Sequence, residues 1–228
     1  MTDIVDRDIW TSRRVELLEA EKRLMREHDR VAAARRDLPW VEVSTEYRFD
    51  TEQGQRSLSD LFGRHSQLVV YHFMFGGDWD EGCPSCSFWA DNFDGIDRHL
   101  AARDVAFVAS STAPLDRLLG YRDRMGWSFD WVSSGGGTFN RDFGVAGSDT
   151  YNFRSVAEPL AESPGRSVFA RRGDDVFHTY SMYARGLEVF NGAYQLLDLV
   201  PKGRDEDELA WTMEWLRRHD RYEATTTS

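Results

Sequence analysis

Cysteine is almost missing from this chain: Cys83 and Cys86 are the only two among 228 residues. Long apolar runs are missing too. None approaches the ~20 residues of a membrane-spanning helix, so no membrane partner is expected. There is no basic excess either, since 28 Lys and Arg face 39 Asp and Glu for a net charge of −11. Such a chain repels phosphate backbones and anionic lipid surfaces, which excludes nucleic acid as an expected partner. The N-terminal stretch MTDIVDRDIW is acidic and lacks an apolar signal segment, which predicts a cytoplasmic protein. In that compartment long-lived structural disulfides are rare, so an isolated Cys-x-x-Cys points to catalysis or metal binding. Apolar residues are not scarce. At 41% hydrophobic and 29% charged, the chain can build a core, and its length suits one domain with additions.

Hydrophobic periodicity orders the elements. Leu17, Leu18, Leu24, Met25 and Val31 predict an amphipathic helix over 8–37 that ends before Pro39. It packs on its own domain or on a second copy, and so admits a homodimer. VEVSTEYRF (41–49) alternates like a strand, and SLSDLF (57–62) reads as a turn or short helix. QLVVYHFMF (67–75) is continuously apolar, as in strands buried on both faces. A helix over 87–100 follows, then a strand at 105–110, a helix at 114–125 and a strand at 129–133. Residues 134–153 are glycine-rich loop, 167–181 a hairpin, and 206–222 a last helix with Leu209, Met213 and Leu216 inward. DEDE (205–208) would complement the N-terminus of that helix. The order predicts an α/β sandwich around a central mixed sheet. Three parts follow: an N-terminal helical extension (1–40), the α/β domain (41–202), and a C-terminal helix and tail (203–228).

The chemistry concentrates at EGCPSCSFWADNF (81–93). Cys83 follows a buried strand and precedes a helix, at the sheet edge where sites of open α/β folds gather. Pro84 presets the first helical turn. Cys83 then falls at the N-cap, where helix N–H groups favour a thiolate, and Cys86 lies one turn in. Cys83 is the natural attacking thiol and Cys86 the resolving one. Asp78, Asp80 and Glu81 oppose this, because nearby negative charge raises a thiol pKa; a mild thiol is expected. Trp79, Phe88 and Trp89 flank the cysteines as core or as a stacking surface. Asp91 could pass a proton to the resolving thiol. Tyr180, Tyr183 and Arg185 could line a pocket or tie down a loop.

A metal site needs more than two cysteines. Its added ligands would be His72 and His178, giving Cys83, Cys86, His72 and His178 as an alternative binding set. No His-x-His or His-x3-His spacing supports it, so no metal and no cofactor are expected.

The stretch YHFMFGGDWDEGCPSCSFWADNFDG (71–95) resembles the signature of DUF899, a bacterial family with a thioredoxin-like fold sometimes labelled a dithiol-disulfide isomerase. LPWVEV (38–43), APLDRLLGYRDRMGWSFDWVSS (113–134), FNRDFGV (139–145), VFHTYSMYARGLEVFNGAYQLLDLVPKGRDEDE (176–208) and WLRRHDRYE (215–223) resemble it as well. The resemblance implies a thioredoxin-like α/β/α sandwich and thiol–disulfide oxidoreductase chemistry on a protein or small-molecule disulfide. Arg166 falls near the arginine of peroxiredoxins of the same fold, with Pro164 near the proline of thioredoxins. A peroxidase would want threonine or serine where this chain has Asp80, so that activity is the weaker alternative. Pro84, Trp79, Asp80 and Arg166 are the expected positioning residues around Cys83 and Cys86.

Overall fold

A computed structural model describes residues 3–223. Its contacts fall into two units, Met1–Pro39 and Trp40–Ser228. The first unit is one helix, α1 (Arg7–Arg36), of 30 residues. The Asp6 carboxylate accepts the Ile9 N–H at 2.9 Å, meeting one donor that a helix start leaves open. Its apolar stripe is exposed and none of its residues is buried.

The second unit carries the short strands β1 (Val41–Glu42), β2 (Arg48–Thr51) and β3 (Gly54–Ser57), then β4 (Gln67–His72). Next come α2 (Pro84–Ala90), α3 (Ile96–Ala101), β5 (Val105–Ser111), α4 (Leu115–Met125) and β6 (Asp130–Ser133). The remainder is α5 (Phe139–Asp142), the small pair β7 (Thr150–Tyr151) and β8 (Arg154–Ser155), β9 (Gly165–Arg172), β10 (Asp175–Tyr183) and α6 (Gly192–Leu197). The main sheet runs β1-β10-β9-β4-β5-β6-β2-β3. Helical crossovers make β4, β5 and β6 parallel neighbours. The β9–β10 hairpin adds antiparallel strands beside β4, turning at Gly173, whose φ of +61° suits glycine. This is a thioredoxin-like sandwich, with β4 at its centre.

Strand alternation sorts the core into two layers. Tyr71 and Phe73, Phe107 and Ala109, and Trp131 face one layer, with Trp89 of α2 and Leu118 and Tyr121 of α4. Leu68, Val70, Val108 and Val132 face the other, with Phe49, Phe62 and Phe139. Both cysteines pack on the first layer. Among the described residues, no helix is long and apolar enough to cross a membrane.

Three sequence expectations need correction. The helix expected over 87–100 is two helices, interrupted at Gly95, where φ is +80°. Asn92 holds the break: its amide donates to the Phe88 carbonyl, and its carbonyl accepts the Gly192 N–H. The strand expected over 41–49 is two strands at opposite sides of the sheet, β1 beside β10 and β2 beside β6. The C-terminal helix over 206–222 does not form. That segment is turns with one 3-10 turn at His219–Arg221. Its acidic side chains take backbone N–H groups that a helix would have used, Met213 by Glu206 and Ala210 by Glu214. Met213 itself sits at φ +69°. DEDE therefore caps no helix. Leu216 is still buried, and Met213 still packs on the first core layer.

Candidate active site

Phe75 ends the run that β4 begins, and the loop 76–82 brings the chain to α2. Cys83 occupies the N-cap of α2 and Pro84 the first helical position. The Cys83 N–H donates to the Met74 carbonyl at 3.0 Å, and its carbonyl accepts the Ser87 N–H at 3.0 Å. Cys83 is half-buried, Cys86 is buried, and both are free thiols.

The two sulfurs have opposite acidities. Cys83 is pulled down to about 6 by the hydrogen bond from the Cys86 thiol, against the cost of burial. The backbone N–H groups of Cys86 and Ser85 and the Ser85 hydroxyl add to the pull. Burial pushes Cys86 well up, and the neighbouring Cys83 sulfur pushes it further. The Tyr71 hydroxyl and the Met74 N–H, 3.4 Å from Sγ, offset part of that.

The mild thiol expected from Asp78, Asp80 and Glu81 is therefore overturned. Glu81, the residue nearest Cys83 in that run, does not face it as an unpaired charge. Arg124 binds it, with Arg218 at 2.8 Å and Arg221 at 3.1 Å. These guanidiniums, Arg124 first, hold the Glu81 carboxyl below the usual range. Arg218 also donates to the Gly82 carbonyl at 2.7 Å and to the Tyr121 hydroxyl at 2.8 Å. Arg124 pairs with Asp220 at 2.7 Å. Residues 218–221 thus lie along the loop that presents Cys83.

Gly82 fits this loop because it has no Cβ. One added there would come within 2.8 Å of Phe73 and 2.9 Å of Tyr121, both buried aromatic rings. Gly82→Ala is expected to cost about 1–3 kcal/mol, as overpacking does. It should also move the pH midpoint of Cys83 alkylation. Urea unfolding and a thiol titration of the same variant check both; an unchanged midpoint would mean that the loop absorbs the methyl without shifting Cys83.

The other expected site residues divide. Trp79 packs half-buried against the first core layer with Cys83, and Arg117 holds its carbonyl at 2.7 Å. Pro84 and Asp80 are exposed. Phe88 and Trp89 belong to the core layer. Asp91 does not lie under the cysteines: it accepts from Trp127 at 2.8 Å and contacts His219 at 2.7 Å. Tyr183 ties down a loop by donating to the Phe143 carbonyl at 2.9 Å.

Arg166 is buried opposite Tyr71 on β9. Its guanidinium stacks on Phe190 at 4.0 Å, Phe93 at 4.6 Å and Tyr71 at 5.6 Å. Its Nε and one terminal nitrogen have no hydrogen-bond partner, and burial lowers it to about 10. It reaches the couple through Tyr71, which stands between it and Cys86. Nothing in the sequence marked Tyr71 as a partner of Cys86 beyond its shared parity with Phe73, just past the end of β4.

The alternative metal set does not assemble. His72 points into the second core layer, where it stacks with Phe139 and Phe143. His178 faces Phe143 and Phe169 in the same layer. A chain His72–Ser167–Ser181–His178, with each link 2.8 Å, joins them through buried hydroxyls. The cysteines lie across the sheet. Among the described residues, no three of His, Cys, Asp and Glu converge as metal ligands.

A family model described as "Bacterial protein of unknown function (DUF899)" matches residues 1–222. No curated protein matches the chain. Solved structures similar to it include peroxidoxin BcpB from Mycobacterium tuberculosis, at 19% identity over 68% of this chain and 97% of that one, TM-score 0.45. A peroxiredoxin Q variant from Xanthomonas campestris is 15% identical over 70% and 98%, TM-score 0.49. A Chlorobium tepidum protein described as a thiol:disulfide interchange protein DsbE is 13% identical over 70% and 98%, TM-score 0.41.

Proposed function

The chain belongs to the bacterial DUF899 family, and we propose that it is a thiol–disulfide oxidoreductase working through Cys83 and Cys86. One observation carries this reading: Cys83 stands half-buried at the N-cap of α2 with its thiol held down, and Cys86, one turn in, is buried with its thiol pushed up. That asymmetry separates an attacking thiolate from a resolving thiol. The Cys83 thiolate attacks a substrate disulfide, forming a mixed disulfide and expelling one substrate thiolate, which takes a proton. The Cys86 sulfur then attacks the Cys83 sulfur. Its proton leaves with the second substrate thiol, and the Cys83–Cys86 disulfide remains. Two electrons have passed to the substrate, and an external dithiol restores the protein. Run backwards, the same steps oxidise a dithiol.

Alkylation of the reduced protein by iodoacetamide tests the asymmetry. The labelling rate should rise with pH through a midpoint of about 6 and then level off, with the label on Cys83 alone. Cys86 should stay unlabelled wherever the fold persists. A midpoint near the ordinary ~8.5 of a free thiol, or equal labelling of both residues, would overturn the assignment of roles.

A further inference from the structure

Beside the couple, between α2 and the segment 184–213, is a cavity of about 440 Å³. We propose that this cavity is the substrate site, and that it takes a small, uncharged, largely apolar disulfide rather than a disulfide on a folded protein. The inference rests on the thiol–disulfide reading above.

The size lies within the range of small-molecule sites, roughly 300–1,000 Å³. Its walls are mostly apolar or aromatic, including Met74, Trp89, Leu187 and Met213, and Ser85 and Cys86 line it as well. Ser85 and Cys86 stand in the first turn of α2, directly after Cys83 at its N-cap, so the cavity abuts the turn that carries the attacking sulfur. A ligand lying in the cavity therefore lies against the first turn of α2, with the resolving Cys86 in its wall.

The charged residues in the lining argue for a neutral occupant. Arg185, Glu188, Arg204 and Glu206 all stand there, and each already has partners. Glu188 pairs with Arg185 at 2.8 Å and Arg204 at 3.2 Å. Glu206 accepts from Trp215 at 2.6 Å, Tyr194 at 2.9 Å and the Met213 N–H at 3.2 Å. Two cations and two anions, paired or hydrogen-bonded within the protein, give the lining no excess of either sign to attract a charged substrate.

The backbone argues against a protein substrate. An extended polypeptide binds beside a site by pairing with free main-chain groups. At Cys83 those groups are taken, the Gly82 carbonyl by Arg218 and the Cys83 N–H by the Met74 carbonyl, and in the cavity wall the Pro164 carbonyl is taken by the Tyr151 hydroxyl.

The test is single-turnover reduction by the pre-reduced full-length protein of three probes: dithiodipyridine (neutral and aromatic), dithiobis-nitrobenzoate (aromatic with two carboxylates) and insulin. Each rate is divided by that of dithiothreitol with the same probe, so intrinsic reactivity cancels. The neutral probe should exceed each of the other two by at least tenfold. Met213→Trp, which fills the cavity away from the sulfurs, should cut the neutral probe's rate at least tenfold and leave the pH midpoint of Cys83 alkylation in place. Insulin reduced as fast as the neutral probe, or a neutral-probe rate that Met213→Trp leaves unchanged, overturns the proposal while the thiol–disulfide reading stands. If Met213→Trp fails to fold, the wild-type ranking of the three probes decides alone. A wild-type protein that reduces none of them removes the thiol–disulfide reading itself, and the proposal with it.

Discussion

Cys83→Ser should reduce disulfide turnover to the rate of the uncatalysed reaction, while Cys86→Ser should accumulate one mixed disulfide per chain. The two outcomes differ because the environments of the sulfurs differ. A serine hydroxyl at position 83 cannot ionise at neutral pH, and Cys86 cannot take over, since burial keeps it protonated. At position 86 the serine hydroxyl can still donate to Cys83, so the first attack proceeds and only the second step is lost. Cys86→Ala separates these effects. It removes the largest influence lowering Cys83, so its alkylation midpoint should move upward, whereas that of Cys86→Ser should stay closer to wild type. Intact-mass measurement after mixing with a model disulfide reads the trapped adduct directly. Turnover that survives Cys83→Ser would show that some other group is the nucleophile.

The second large effect is on stability. Trp131→Ala should cost about 3–5 kcal/mol, the usual range for emptying a buried indole site. That is a large share of the ~5–15 kcal/mol that holds a domain folded. Trp131 is among the largest fully buried side chains. Its ring lies 4.5 Å from Phe73, 6.0 Å from Trp127 and 6.2 Å from Tyr121, and its N–H reaches the Ser111 hydroxyl at 3.0 Å. The midpoint of urea unfolding should fall with little change in slope. A loss under about 1 kcal/mol, the size of an ordinary substitution, would mean that this aromatic cluster is not the main core. Phe73 and Tyr121, its neighbours, are also the rings against which Gly82 lies, so the variant should loosen the floor of the cysteine loop as well.

Local features carried most of the fold. The apolar run of β4, the proline one residue after Cys83 and the spacing of β5, α4 and β6 each declare an element by their own residues, and the strand–motif–helix corner follows from them. What sequence could not disclose depends on which partners each side chain finds, near or far in the chain. The helix expected over 206–222 has the right apolar spacing, but Glu206 and Glu214 spend their carboxylates on nearby backbone N–H groups. The acidic run before Cys83 counts as repulsive until Arg124, Arg218 and Arg221 are seen around Glu81. His72 and His178 look able to reach the sheet edge, yet both face the far layer. Tyr71 has the opposite parity to His72 and meets Cys86.

The residues that bind the cysteine loop also set an order of events during synthesis. Cys83 and Cys86 leave the ribosome early, whereas the arginine that holds the Gly82 carbonyl follows 136 positions later. Until then the loop has the Met74 carbonyl as its backbone anchor at Cys83, and Glu81 lacks the partners that the chain's last turns supply. A product cut short before residue 218 would keep both cysteines, every strand of the sheet and the contacts of Arg117 and Arg124 with the loop, but would lose the arginine on the Gly82 carbonyl. The reactive corner is therefore completed only after every strand of the sheet has been made.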